Sequence, residues 1–296
     1  MSIEKNAIAK QIIYPAKNAS RWFGIDMHAN LYHGCSNGCI YCESRNDSTL
    51  NNNFDNITFK TNTIEVLSRE LHRKPKHQIV SIGSSTDPYN LIESNEQLTR
   101  QALEIIDDSE LGVALTTEND LVIRDIDILK RIQNHSPVFV MVTITTMNEQ
   151  VAAKLEPKAP KPSERFKLVS RLSQEGITCG IKMMPIIPFI NDTVQNIESI
   201  IRAAKNAGAK FIYPAFGITL RDRQRSYFFE MIEKEFPGLK NVFMDVFGSK
   251  TSCISPDAPK LKKAFVIECK KQKIRYGMKE IVQLVKPTKT IQMKLF

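Results

Sequence analysis

The chain has 296 residues, 42% apolar and 25% charged, the proportions of a soluble globular protein long enough to bury an extensive core. No run approaches the roughly 20 apolar residues of a membrane span, and the opening Met1-Ser2-Ile3-Glu4-Lys5-Asn6 lacks the apolar stretch of a secretory signal, so a cytoplasmic protein without membrane contact is expected. Lys and Arg number 41 against 32 Asp and Glu, and the stretch from Ala258 to Phe296, with eleven basic residues against Glu268 and Glu280, carries the whole excess.

After a lead-in (1–27) containing Trp22 and Phe23, apolar β-rich runs recur: Ala29–Tyr32, Ile79–Ile82, Gly112–Thr116, Val138–Thr145, Ile177–Pro185 and Phe211–Phe216. Between them Thr63–Arg73, Glu96–Asp107, Ile126–Asn134, Ser163–Glu175 and Thr193–Ala207 space their apolar residues by three and four, as amphipathic helices do. Ser163 and Asp192 or Thr193 are candidate N-caps, and Gly176 and Gly208 stand where two of these helices should stop. Strand and helix alternating in this way predict an α/β fold of parallel strands, wound as a partial (βα)6 TIM-type barrel over residues 28–220. Residues 221–296 read as a C-terminal extension: a helix Gln224–Glu235, a strand Asn241–Phe247 and a basic tail. The Asn-rich stretch Asn51–Asn56 reads as a loop.

Three of the six cysteines crowd into Gly34-Cys35-Ser36-Asn37-Gly38-Cys39-Ile40-Tyr41-Cys42, at the end of the first βα strand, where barrels of this kind carry their chemistry. Thiolates at intervals of four and three can wrap one metal centre, with Gly34 and Gly38 allowing a tight backbone. Neither a structural zinc nor a ferredoxin-type cluster is complete with three cysteines, so one coordination position is left for something else. A zinc knuckle completed by His28 or His33 is the competing reading, and with it a non-catalytic zinc or iron–sulfur scaffold that docks on DNA or on the sliding clamp.

The spacing Cys-x3-Cys-x2-Cys, with the aromatic Tyr41 before the last cysteine, resembles the signature of the radical S-adenosylmethionine (radical SAM) enzymes. The resemblance implies that Cys35, Cys39 and Cys42 hold a [4Fe–4S] cluster whose open iron is chelated by the amino and carboxylate groups of S-adenosylmethionine. It also implies an electron donor such as flavodoxin or ferredoxin, and reductive cleavage of the cofactor to a 5′-deoxyadenosyl radical. The loop Gly83-Ser84-Ser85-Thr86-Asp87-Pro88-Tyr89 stands where that family commonly has a Gly-Gly-Glu-like motif for the methionyl ammonium, so Ser84, Ser85, Thr86 and Asp87 become cofactor-binding candidates. Thr143, Thr145 and Thr146 are placed to meet the ribose, Arg165 the methionyl carboxylate, and Pro185 the adenine.

Within the superfamily, Leu31–Cys42, Thr86-Asp87-Pro88-Tyr89 with Leu98-Thr99-Arg100, Glu156–Pro160, Pro185–Pro188 and Asn191-Asp192 resemble the spore photoproduct lyase-related group, often labelled DNA repair photolyases. That resemblance implies a lyase acting on a nucleic-acid lesion or modified base. Protein or RNA is the other substrate class for such radical chemistry. Spore photoproduct lyase returns a hydrogen atom from a cysteine in the loop after its second strand. Ser84 stands there in this chain, and an O–H bond is too strong a hydrogen donor to replace S–H, which leaves Cys179, Cys253 and Cys269 as thiols to consider. The chain ends Gln292-Met293-Lys294-Leu295-Phe296, similar at Gln292, Leu295 and Phe296 to the pentapeptide that binds the bacterial sliding clamp. With the basic segment before it, this ending makes DNA the expected partner.

Overall fold

The computed structural model describes residues 8–16, 22–46 and 54–286. In chain order the strands and helices are β1 (Ile13–Pro15), β2 (Met27–Ala29), α1 (Thr63–Leu71), β3 (Ile79–Ile82), α2 (Glu93–Glu96), α3 (Leu98–Asp108), β4 (Gly112–Thr117), α4 (Ile126–Gln133) and β5 (Val138–Thr143). They continue as α5 (Glu149–Leu155), α6 (Pro162–Gln174), β6 (Thr178–Met183), α7 (Val194–Asn206), β7 (Phe211–Pro214), β8 (Gly217–Thr219), α8 (Asp222–Glu235), α9 (Leu239–Phe247), β9 (Ser252–Ile254), α10 (Ala258–Gln272) and α11 (Met278–Val285).

Strands β1 to β7 form one sheet in sequence order; β1 pairs antiparallel with β2, and β2 to β7 are parallel throughout. Six parallel strands in sequence order with helices between them are the expected partial (βα)6 barrel. Alternation along each strand sorts its side chains into two cores. Val80, Ile82, Val113, Leu115, Val140, Val142, Ile181 and Met183 pack outward against Leu103, Leu129, Leu168 and Ile200 of the helices. Inward, Ile79, Ala114, Phe139, Met141 and Phe211 meet Phe23, Ile25 and, from α11, Ile281 and Val285. The end of the barrel that receives the strand N-termini is therefore closed by an aromatic and aliphatic plug.

Higher up, the same inner positions turn polar: Ser81, Thr116, Thr143 and Lys182 follow Ile79, Ala114, Met141 and Gly180 two residues further along their strands. The fold thus keeps its dry layer at one end and presents polar groups at the C-terminal ends of the strands. Gly180 is required on β6, since a Cβ there would lie 2.1 Å from the Phe211 ring.

Some elements depart from the sequence-based expectation. The first parallel strand is Met27–Ala29, not Ala29–Tyr32, and β1 lies in the lead-in. Asn241–Phe247 is helical, part of α9, because Phe243 and Phe247, one turn apart, bury together against Phe189 and Phe228. Helix α6 is entered from Lys161 with Pro162 in its first turn, so Ser163 is not its cap. The basic C-terminal segment is folded as far as Lys286: α10 packs on α7 and buries Leu261, Phe265 and Cys269, and α11 closes the barrel. Gln292, Leu295 and Phe296, like 51–53 of the Asn-rich loop, lie outside the described residues. Among the described residues no helix is long and apolar enough to cross a membrane.

Candidate active site

A cavity of about 290 Å³ opens at the C-terminal ends of the strands, walled by Cys35, Asn37, Cys39, Tyr41 and Cys42, by Gly83–Asp87, by Thr116–Glu118, and by Thr143, Lys182, Met184 and Pro185. Five loops of the barrel and the start of the C-terminal extension converge on it.

The cysteine loop is built by backbone constraint. Gly34 and Gly38 take φ of +79° and +71°, and a Cβ on Gly34 would sit 2.1 Å from the Asn56 carbonyl. Cys35 N–H donates to Phe54 O (2.8 Å), Ile40 N–H to Leu155 O (2.9 Å) and Lys158 N–H to Asn37 O (3.1 Å). Arg45 donates to Cys39 O (3.0 Å) and stacks its guanidinium on Phe54 and Tyr227, while Gln224 of α8 donates to Tyr41 O (3.0 Å). The C-terminal extension therefore holds the loop from behind. Burial pushes all three thiols up, Cys35 to about 12 with Asp87 adding to the effect.

A single zinc ion would draw its thiolates to roughly 2.3 Å of one point; among the described residues no three His, Cys, Asp or Glu side chains converge that way. His28 sits on the inner face of β2 and His33 in a backbone bridge with Thr58. Three thiols on one cavity wall, with no fourth beside them in its lining, match instead a cluster that would take these three as ligands and leave one iron for another group. The residues present fit that group.

Behind the wall lies a buried polar network. Arg165, 1% exposed, donates to Pro160 O (2.8 Å), to Thr143 O (2.9 Å) and to the Glu156 carboxylate, with Glu118 at 3.5 Å. Glu156, 2% exposed, also accepts from the hydroxyls of Tyr41 and Thr145. Asp87 accepts from Tyr89 N–H (2.9 Å) and Thr117 Oγ1 (2.7 Å) on one oxygen, and from Glu118 N–H (3.0 Å) and Asn37 Nδ2 (3.3 Å) on the other. Burial raises the Glu118 carboxyl and the Tyr41 hydroxyl.

These contacts bear on three expected residues. Arg165 does not line the cavity; its guanidinium is consumed in clamping the Glu156–Pro160 turn to β5. Asp87 lines it, yet all four of its accepting directions are filled by protein donors, so it ties the β3 loop to the β4 and cysteine loops. Thr145 is turned to Glu156 and does not line the cavity, whereas Thr143 does. Tyr41, Ser84, Ser85, Thr86 and Pro185 are brought together there as expected, with Ser84 and Ser85 exposed at its mouth. Cys179, Cys253 and Cys269 are buried and none lines the cavity. Sequence reasoning missed Asn37, Glu118 and Lys182; the signal for Lys182 was a lysine between Ile181 and Met183 in an otherwise apolar strand.

Residues 29–204 match the family model of the radical SAM superfamily. The chain belongs to that superfamily, a family of enzymes whose cofactors are a [4Fe–4S] cluster and S-adenosylmethionine. It is similar to an uncharacterized protein of Mycobacterium tuberculosis, 26% identical over 225 residues that cover 74% of this chain and 66% of that protein. Another, from Methanocaldococcus jannaschii, is 29% identical over 199 residues, 67% of this chain and 71% of the relative. Among solved structures, a spore photoproduct lyase mutant superposes with a TM-score of 0.68 at 13% identity, over 92% of this chain and 80% of that one. A second mutant of that lyase, with bound AdoMet and dinucleoside spore photoproduct, gives 0.64 at 14% identity, over 90% and 78%. The radical SAM methyltransferase TsrM of Kitasatospora setae gives 0.53 at 11%, over 82% and 51%. At these identities the likeness to the solved structures is one of fold.

Proposed function

We propose that the protein is a radical SAM enzyme acting on a nucleic-acid lesion or modified base, working in the cytoplasm with an electron donor such as flavodoxin or ferredoxin. The observation that carries the reading is the set of three cysteine thiols on one wall of a cavity at the strand C-termini, with no fourth thiol in its lining. Cys35, Cys39 and Cys42 would hold the cluster, and Tyr41, Ser84, Ser85, Thr86, Thr143 and Pro185 would wall the cofactor. When bound, cluster and cofactor supply a carbon-centred radical that abstracts a hydrogen atom. The chain's own part is orientation and exclusion of water: the aromatic plug seals the barrel from below, and the network around Asp87 and Arg165 fixes the loops.

Support for a nucleic-acid substrate comes from the approach to the cavity. A groove lined by Phe216–Thr219, Ser252, Ile254, Ser255, Ala258, Pro259 and Lys262 shares Ala215 and Gly217–Thr219 with the cavity wall, so the two adjoin at β8. It runs to α10, where Lys260, Lys262, Lys263 and Lys270 are exposed and carry no ion pair among the described residues. Lys262 lines the groove and the other three share its helix, and unpaired cations beside a groove suit a polyanionic chain. None of the three remaining thiols lines the cavity, so a reaction ending with a hydrogen returned from one of them is not part of the proposal.

The test is reconstitution under anaerobic conditions, reduction, and assay for 5′-deoxyadenosine with and without ultraviolet-damaged DNA. Product that rises with damaged DNA is the expected result. No 5′-deoxyadenosine, under conditions in which a known radical SAM enzyme makes it, removes the enzymatic reading; product indifferent to DNA and RNA removes the substrate.

A further inference from the structure

The turn Glu156-Pro157-Lys158-Ala159-Pro160 does not line the cavity. It lies against the cysteine loop from outside and is fastened along it: Ile40 N–H donates to Leu155 O (2.9 Å), Lys158 N–H to Asn37 O (3.1 Å), and the Tyr41 hydroxyl to Glu156. Gly38, next to Cys39, faces the same turn; a Cβ there would meet Pro157 Cγ at 3.3 Å and Lys158 Cγ and Cδ at 3.8 Å. Pro157 and Lys158 are both exposed. One layer of residues therefore separates the backbone beside Cys39 from solvent.

The charge on that layer is mainly of one sign. Between Glu149 and Lys167, the exposed residues Lys154, Lys158, Lys161 and Lys167 stand against Glu149 and Glu164, while Glu156 and Arg165 are a buried pair. Lys158 makes no side-chain hydrogen bond or ion pair among the described residues. Lys154 donates to a carbonyl, Glu235 O (2.8 Å), and lies over the Phe236 ring, so no carboxylate neutralises it. The other segment laid on the loop, Phe54–Asn56, brings no cation of its own; its exposed charge is Asp55, paired with Arg45. Glu43 is exposed on the turn that follows Cys42.

We infer that the Lys154–Lys158 face is the docking surface for the one-electron donor, a small redox protein with an acidic rim around its flavin or iron–sulfur centre. The inference rests on the radical SAM reading and adds to it the place where the electron enters. One electron passes from the reduced donor to the oxidised cluster; no bond forms or breaks and no proton moves. The cavity side of the loop faces the cofactor, so a protein donor approaches from the other side, where unneutralised lysines steer an acidic partner and repel a basic one.

The experiment follows reduction of the reconstituted protein, its iron and sulfide measured, by fully reduced bacterial flavodoxin in anaerobic stopped flow, with the visible spectra of donor and cluster recorded together. Wild type is compared with Lys154→Glu/Lys158→Glu and with Lys205→Glu/Lys210→Glu, an equal change of charge at the end of the barrel where the strands begin. At low salt the first double variant should be slowed at least about tenfold, the low end for electrostatic steering, and the second less than about threefold. In about 1 M salt, where screening acts within about 3 Å, all three proteins should agree within about twofold. Fluorescence anisotropy of labelled flavodoxin with the cluster-free proteins should give the same order of affinities. No slowing, equal slowing of both double variants, or a defect that persists in high salt overturns the docking face while the radical SAM reading stands. Wild type that takes up no iron–sulfur cluster overturns that reading and the inference with it. If Lys154→Glu/Lys158→Glu does not fold, Lys154→Gln/Lys158→Gln supplies the same comparison.

Discussion

Arg165→Met separates a structural from a ligand-binding role for the arginine that the sequence placed beside the cofactor. The substitution removes a guanidinium that is 1% exposed and leaves Glu156, 2% exposed, without its cation. Breaking a buried pair from one side costs about 3–5 kcal/mol, because the remaining charge has lost both partner and water. The carbonyls of Pro160 and Thr143 lose their donors as well, at about 1 kcal/mol or more each if water does not replace them. At about 2 °C per kcal/mol for a domain of this size, the melting temperature of the cluster-free protein should fall by at least about 6 °C. Lys in place of Arg should recover little, since one ammonium cannot serve three acceptors held in a plane. The double variant Arg165→Met/Glu156→Met should be less destabilised than the sum of its singles, because no orphan charge is buried. Thermal and urea unfolding followed by circular dichroism reads all of these. A melting temperature within about 2 °C of wild type, together with lost affinity for S-adenosylmethionine, would refute the reasoning and return Arg165 to the ligand.

Three further outcomes are expected. Cys39→Ser should lower bound iron from about four per chain and abolish 5′-deoxyadenosine formation, as measured by metal analysis and chromatography; full iron content would exclude Cys39 as a ligand. Gly180→Ala should destabilise by about 1–3 kcal/mol through the clash with Phe211, and Phe211→Leu in the same chain should relieve part of it; unfolding midpoints decide. Neutralising Lys260, Lys262 and Lys263 to Gln should flatten the salt dependence of DNA binding by up to about two to three in log–log slope, whereas an unchanged slope would take α10 off the phosphate track.

The barrel was legible because β3 to β7 are short apolar runs separated by helices of clear amphipathic spacing, and both signals are local. What lay beyond local signals was missed. Strands β1, β8 and β9 are three residues each, too short for any periodicity to register. In Leu239–Phe247 the apolar residues are dense enough to read as a strand, and only the aromatic cluster with Phe189 and Phe228 selects the helix. The metal-binding candidates were legible because three cysteines within eight residues carry their geometry in their spacing. The rest of the wall was not: Glu118 follows β4 and Lys182 lies on β6, and nothing in the sequence says that their side chains share a cavity.

A charged residue near a reactive loop is weak evidence of ligand binding. Asp87 and Arg165 were attractive because each is charged and close to the expected cofactor. Both turn out to be satisfied within the protein, and a fully satisfied charge has nothing left to offer a ligand except at the cost of the loops it holds. Lys182 carries no such contacts. A lysine half-buried without a partner is disfavoured as a cation, and the protein meets that cost by lowering the affinity of the amine for its proton. The cavity therefore divides its labour: saturated charges set the positions of the loops, and Lys182 and one oxygen of Glu118 line it without a protein partner.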